Sequence, residues 1–202
     1  MSALTDFGDV AIILPLSLVV LAWLLYNGSR QAAALWLIVV GFCVGLTAFL
    51  KVYLYICPPA SDLVSPSGHS SFSVLIYGAI AVIIAAEQRG WLRALILVSG
   101  AILFLGIARS RVWVKAHSVP EVVIGTSIGI ATLTLFANGY LRSRTEEKRL
   151  RPLIVSTIIV IAVLYGQELR AEALLHAISR YLLLSSVCMT NPRAALAVPT
   201  VG

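Results

Sequence analysis

Charge is what this chain has least of. Asp, Glu, Lys and Arg make up 12% of its 202 residues, and only 9 of those are acidic. A soluble domain carries about 25% charged residues. With 59% hydrophobic residues and a mean hydropathy of +0.96, that shortage excludes an ordinary soluble globule. Cysteine is also scarce: Cys43, Cys57 and Cys188 are too few and too scattered for a disulfide framework or a metal cluster. Aromatic residues do not interleave with basic ones as base stacking requires, so nucleic acid is not an expected partner despite a net charge of +6. The N-terminus has neither a basic n-region nor a small-residue cleavage site, so no removable signal peptide is expected. Internal repeats and low-complexity tracts are absent.

What the chain has in quantity is uninterrupted apolar length. Several runs approach or exceed the ~18–20 residues that span a bilayer. The expected fold is all-α: one integral-membrane domain over residues 1–202, a polytopic helical bundle of about six transmembrane helices. The spans are expected at roughly 10–26, 31–56, 69–86, 91–108, 118–140 and 152–166. Asn27-Gly28-Ser29-Arg30, Pro58-Pro59 and Glu87-Gln88-Arg89-Gly90 provide the breaks. From 168 to 184, Glu168, Arg170, Glu172, His176 and Arg180 alternate with leucines and alanines, the pattern of an interfacial amphipathic helix. Trp23, Trp36, Trp91 and Trp113 fall near span ends and read as interface anchors.

The basic residues sort by face. Counting spans puts Arg30, Arg89, Arg93 and the cluster Arg142, Arg144, Lys148, Arg149 and Arg151 on one side, which the positive-inside rule makes cytoplasmic. The 57–69 and 109–117 loops then share the opposite face. Arg109, Arg111 and Lys115 violate the rule there, and an anionic ligand is the simplest reason for them. The expected location is the inner membrane of a bacterium, with the site on the periplasmic or extracellular side.

The stretch Arg109–Glu121 concentrates ionisable groups between almost purely apolar segments. Such groups beside membrane spans are costly and mark functional candidates. His117 and Glu121 are four residues apart, on one face of a helix that starts at Ser118. Arg111 is near enough in sequence to converge with them on a small ligand. A cationic pocket with a histidine and a carboxylate suits phosphate. A second motif, Pro66-Ser67-Gly68-His69, opens a helix, whose free N–H groups and positive end attract anions. Gly68 admits a ligand close to the backbone, Ser67 adds a hydroxyl, and His69 can give a proton to a leaving oxygen. A third element is Lys51 followed by Pro58-Pro59. Each part also has a plainer reading. Ser118-Val119-Pro120-Glu121 fits a capping box, Ser67 a helix cap, Lys51 a snorkelling anchor, and His176 a structural residue.

Taken together, Lys51, Pro66-Ser67-Gly68-His69 and Ser110-Arg111-x5-His117-x3-Glu121 resemble the type 2 phosphatidic acid phosphatase family, whose core is similar to that of vanadium-dependent haloperoxidases. The chain departs from the family signature twice: Pro58 stands in an arginine slot and Glu121 in an aspartate slot. The resemblance implies a membrane phosphatase acting on a phosphomonoester or diphosphate of a lipid, without cofactor or metal. It implies that His117 is the nucleophile, forming a phosphohistidine, that Glu121 orients it, and that His69 is the general acid and then base. Lys51, Ser67, Gly68 and Arg111 would hold the phosphoryl oxygens. The expected partners are a lipid phosphate substrate and the bilayer. A lipid phosphotransferase using the same intermediate, and a catalytically silent relative that binds anionic lipid, are the alternatives.

Overall fold

In the computed structural model the described residues are 3–56, 65–143 and 148–167, and their secondary structure is helical, without strands. In chain order the helices are α1 (Ala3–Asp6), α2 (Val10–Tyr26), α3 (Arg30–Ile56), α4 (Gly68–Ala86), α5 (Gly90–Trp113), α6 (Val119–Ser143) and α7 (Leu150–Leu164). The expected all-α membrane architecture is what the chain adopts. Helices α3 to α6 are long and apolar enough to cross a bilayer, whereas α2 and α7, with 17 and 15 residues, are apolar but shorter. At ~1.5 Å per residue those two fall short of a hydrocarbon core about 30 Å thick. Cys57, Pro58, Arg144, His176, Cys188 and the amphipathic 168–184 segment lie outside the described residues.

Local chemistry sets the ends. The Asp9 carboxylate caps α2 by accepting the Ala11 N–H at 2.8 Å. Gly28 and Gly90, at φ 69° and 59°, take left-handed conformations between α2 and α3 and at the first residue of α5. Pro120 and Pro152 sit in the first turns of α6 and α7, where a missing N–H costs nothing. Helix α5 continues five residues past the expected end at Ala108, because Arg109-Ser110-Arg111 contains no breaker. It stops where Lys115 adopts φ 55°. The Lys115 N–H donates to the Val112 carbonyl at 3.0 Å and the Ala116 N–H to the Arg111 carbonyl at 3.0 Å. This is a Schellman closure with lysine at the position that usually holds glycine.

Helix α4 is the centre of the bundle: 72% of its span is buried, against 11% for α5. Lipid tails are as apolar as leucine, so membrane helices associate through close packing rather than through burial of apolar surface. Helix α4 offers Ser70, Ser71, Ser73, Gly78 and Ala79, all buried. Helix α6 answers with Gly125 and Gly129. A Cβ on Gly125 would collide with the Ser67 carbonyl, and one on Gly129 would lie 2.6 Å from the Ser71 carbonyl oxygen. The other face of α5, with Trp91, Leu95, Val98, Ile102 and Leu105 exposed, is apolar and suits lipid.

Two tryptophans depart from the expected anchoring role. Trp36 is fully buried, donates from Nε1 to the Ser17 carbonyl at 3.0 Å and packs edge-on against Phe136. Trp23 is buried too, and its Nε1 donates to the Arg149 carbonyl at 2.8 Å. An indole that finds a carbonyl partner is as stable in a packed interior as at an interface. Trp91 and Trp113 remain exposed. The Trp23 bond, with Lys148 Nζ donating to the Asn27 carbonyl at 3.2 Å, joins the α2–α3 turn to the basic segment before α7 at one end of the bundle.

The glycine packing predicts a contrast between two Gly→Ala changes. Gly125→Ala should lower the thermal midpoint in detergent, by the ~1–3 kcal/mol typical of overpacking. Gly45→Ala, in open space on α3, should leave it level or raise it slightly through helix propensity. Equal midpoints for the two variants would contradict the packing described.

Candidate active site

At the other end of the bundle the motifs meet. The N-terminus of α4, the N-terminus of α6 and the C-terminal turn of α5 converge there, and the Glu121 carboxylate joins them. Its Oε2 lies 2.9 Å from His117 Nδ1 and accepts the Ser118 N–H at 3.0 Å. Its Oε1 accepts the Ser65 N–H at 2.7 Å. The Ser67 N–H donates to the Glu121 main-chain carbonyl at 3.1 Å. The segment leading into Pro66-Ser67-Gly68-His69 is thus bonded through both side chain and backbone to the residue that holds His117. The His117 and Glu121 side chains are 6% and 5% exposed, so this pairing is shielded from water.

The spacing Arg111-x5-His117 has a mechanical origin. Arg111 occupies the last turn of α5, and its carbonyl accepts from both Ala116 N–H and His117 N–H, the latter at 3.3 Å. The intervening residues form the helix closure, and Ser118 then starts the next helix. The Ser118 backbone N–H takes up the Glu121 carboxylate, which is half of a capping box, while its hydroxyl is buried with no hydrogen bond. One carboxylate therefore makes both the capping contact and the contact with His117.

The cations divide by burial. Lys51 and Arg111 are buried, at 3% and 9% exposure, while Arg109 and Lys115 are exposed. Lys51 does not snorkel outward: its Cε lies 4.0 Å from where a Gly68 Cβ would stand, so it packs on the start of α4. Ser67 caps α4, its Oγ accepting from the Ser70 N–H at 3.4 Å and the Ser70 hydroxyl at 3.0 Å. His69 opens the same helix, and its Nε2 lies 3.8 Å from Asp9 Oδ2. Among the described residues no three His, Cys, Asp or Glu side chains gather as metal ligands would.

Some participants are missing from the sequence reading. Ser65 enters through its backbone, which no residue-type pattern reveals. Asp9 belongs to none of the motifs. Gly125 and Gly129 form a small-x3-small pair in an apolar helix, a signal of close helix approach that is visible without coordinates.

The family model that matches this chain is that of the PAP2 superfamily, over residues 49–145. That stretch contains Lys51, His69, Arg111, His117 and Glu121, and it ends with α6. Over that stretch the chain resembles the PAP2 superfamily. The chain is also similar to an uncharacterised 22.5 kDa protein in the cps region of Klebsiella pneumoniae, 29% identical over 147 residues that cover 70% of this chain and 68% of the relative. No solved structure matches the chain. The superfamily supports a phosphatase-type function on phosphate esters, and the long apolar helices support a membrane protein.

The carboxylate geometry makes a stability prediction. Glutamine at 121 keeps one oxygen, so its amide NH2 must face at least one of the Ser65, Ser118 and His117 donors. An unsatisfied buried donor costs about 1–3 kcal/mol. Glu121→Gln should therefore lower the thermal midpoint in detergent as well as activity. A midpoint equal to that of the parent would mean that the carboxylate does not hold the two segments together.

Proposed function

We propose that this protein is a membrane phosphatase that removes a phosphate from a lipid phosphomonoester or diphosphate through a phosphohistidine on His117. The observation that carries the reading is the His117–Glu121 pair, locked to the Pro66-Ser67-Gly68-His69 segment beside the buried cations Lys51 and Arg111. With Nδ1 committed to Glu121, Nε2 is the ring nitrogen that attacks phosphorus. The P–O bond to the alcohol breaks, and His69 gives the leaving oxygen a proton. His69 then takes a proton from water as that water attacks phosphorus, the P–N bond breaks, and inorganic phosphate leaves. Lys51, Arg111 and the backbone N–H groups at the start of α4 balance the charge on the equatorial oxygens. Glu121 faces the positive charge that develops on His117, as the acid of a triad does. The location of the site, at one end of an apolar bundle, supports a lipid substrate.

The distribution of basic residues supports one orientation. The end opposite the site carries Arg30, Arg89, Lys148 and Arg149 and faces the cytoplasm by the positive-inside rule. The site then opens on the periplasmic or external side of the membrane. Single cysteines at Ser29 and Arg89, in a cysteine-free background, should resist an impermeant thiol reagent on intact cells. Ready labelling would reverse the orientation.

Purified protein should release phosphate from at least one of phosphatidate, phosphatidylglycerophosphate, a polyprenyl diphosphate and a lipid A phosphate. Transfer of the group to a second lipid without phosphate release would instead mark a phosphotransferase. His117→Ala should abolish turnover together with an acid-labile, base-stable phosphoenzyme trapped from labelled substrate. Arg111→Ala should cost roughly 10²–10³ in rate, the scale of one oxyanion donor. A phosphoenzyme undiminished in His117→Ala would overturn the nucleophile assignment.

A further inference from the structure

The N-terminal turn before α2 is built into the site, although it lies outside the segment that matches the superfamily. It is pinned at successive residues. Thr5 Oγ1 and Ser110 Oγ are 3.0 Å apart, which ties α1 to the residue just before Arg111. The Phe7 carbonyl accepts the Tyr77 hydroxyl at 2.7 Å, which ties the turn to α4. Gly8 presses against both helices: a Cβ there would lie 3.3 Å from His69 Cδ2, 3.2 Å from Ser73 Oγ and 2.7 Å from Ile107 Cγ2. Only a residue without a side chain fits between the His69 ring and α5. The turn is closed internally by Gly8 N–H to the Thr5 carbonyl at 3.0 Å and Asp9 N–H to the Asp6 carbonyl at 3.1 Å.

This scaffold delivers Asp9. The residue is 8% exposed, and its two carboxylate oxygens have different tasks. Oδ1 caps α2 through the Ala11 N–H, which fixes the group in place. Oδ2 faces His69 Nε2 at 3.8 Å. That separation is longer than a hydrogen bond and short enough for a strong charge interaction in a shielded site. A helix cap needs only an oxygen, and serine or asparagine provides one. The second oxygen, aimed at the histidine, is what the cap does not explain.

We infer that Asp9 is a positioning residue for His69: its carboxylate orients the imidazole and pairs with the positive charge of its proton-donating form. The site then contains two carboxylate–histidine pairs, Glu121 on His117 and Asp9 on His69. The inference rests on the phosphatase reading and assigns Asp9 to the half of the reaction in which the alcohol leaves. Asp9 does not touch the substrate and acts only through His69.

The test exploits leaving-group chemistry. An alkyl alcohol must be protonated as it departs, whereas p-nitrophenolate leaves without a proton. The quantity kcat/KM reports only the steps through P–O cleavage, so the shared hydrolysis of the phosphoenzyme does not enter. The assay compares short-chain phosphatidate with p-nitrophenyl phosphate, using the full-length wild type, Asp9→Asn and Asp9→Ser in detergent. Both variants keep a capping oxygen for Ala11 and remove the charge. We expect kcat/KM for the phosphatidate to fall roughly 10–10²-fold, part of the ~10²–10⁴ that general acid catalysis supplies, and that for the aryl ester to fall less than about threefold. The ratio of the two values does not depend on the fraction of folded protein, so partial misfolding cannot mimic the split. Equal losses on the two esters, or no loss on either, overturn the role of Asp9 while leaving the phosphatase reading intact. A wild type that cleaves neither p-nitrophenyl phosphate nor any lipid of the panel named above overturns both.

Discussion

The Glu121 carboxylate sits where two chain segments end and a third begins, and the site has no geometry without it. Ser65 N–H, Ser118 N–H and His117 Nδ1 all reach it, from three directions. A buried carboxylate is costly unless its lone pairs are occupied. Here the bonds that offset that cost also align the approach to α4 with the start of α6. Folding and preorganisation are therefore one event: the arrangement that satisfies the charge is the arrangement that presents the histidine. The longer glutamate side chain lets one group close its own helix start and still extend across to Ser65.

The placement of the other charges follows the same economy. Lys51, Arg111, Glu121 and His117 all lie near helix termini at one end of the bundle, and the middle of α4 holds nothing more polar than hydroxyls. Helix ends carry backbone groups that need partners in any case. Ionisable groups gathered there share those partners and the field of the helix dipoles, which a position at mid-bilayer would not offer. The α5 closure at Lys115 serves the same arrangement, since it turns the chain within a few residues and brings His117 back over the carbonyl of Arg111. A lysine in a left-handed conformation is a local strain that a glycine would relieve.

Much of this was legible in the sequence, for identifiable reasons. Long apolar runs announced the bundle, and breakers such as Asn27-Gly28 marked ends that the structure reproduces. His117 and Glu121 could be paired because Ser118-Val119-Pro120-Glu121 reads as a helix start, where the glutamate folds back over the residues before it. What stayed hidden depends on contacts between distant segments. The Ser65 N–H is a backbone group and leaves no mark in residue type. Asp9 is separated from His69 by two apolar helices, and a lone acidic residue near an N-terminus has no periodicity to read. The end of α5 lies beyond the apolar run because Arg109-Ser110-Arg111, polar but free of breakers, continues the helix. The burial of Trp36 is hidden because the Ser17 carbonyl that satisfies its N–H is nineteen residues away.

The contact of Gly125 and Gly129 with the main chain of Ser67 and Ser71 has a consequence for how such a protein can diversify. Backbone pressed against backbone cannot adapt by rotamer changes, so the floor of the site is inelastic. Substitutions there trade directly against folding, and drift at those positions is closed off. New properties would have to be acquired at the rim, where the exposed Arg109 and Trp113 take no part in the contacts between His117 and Glu121. The chain thus separates a part that evolution can edit from one that it can only keep.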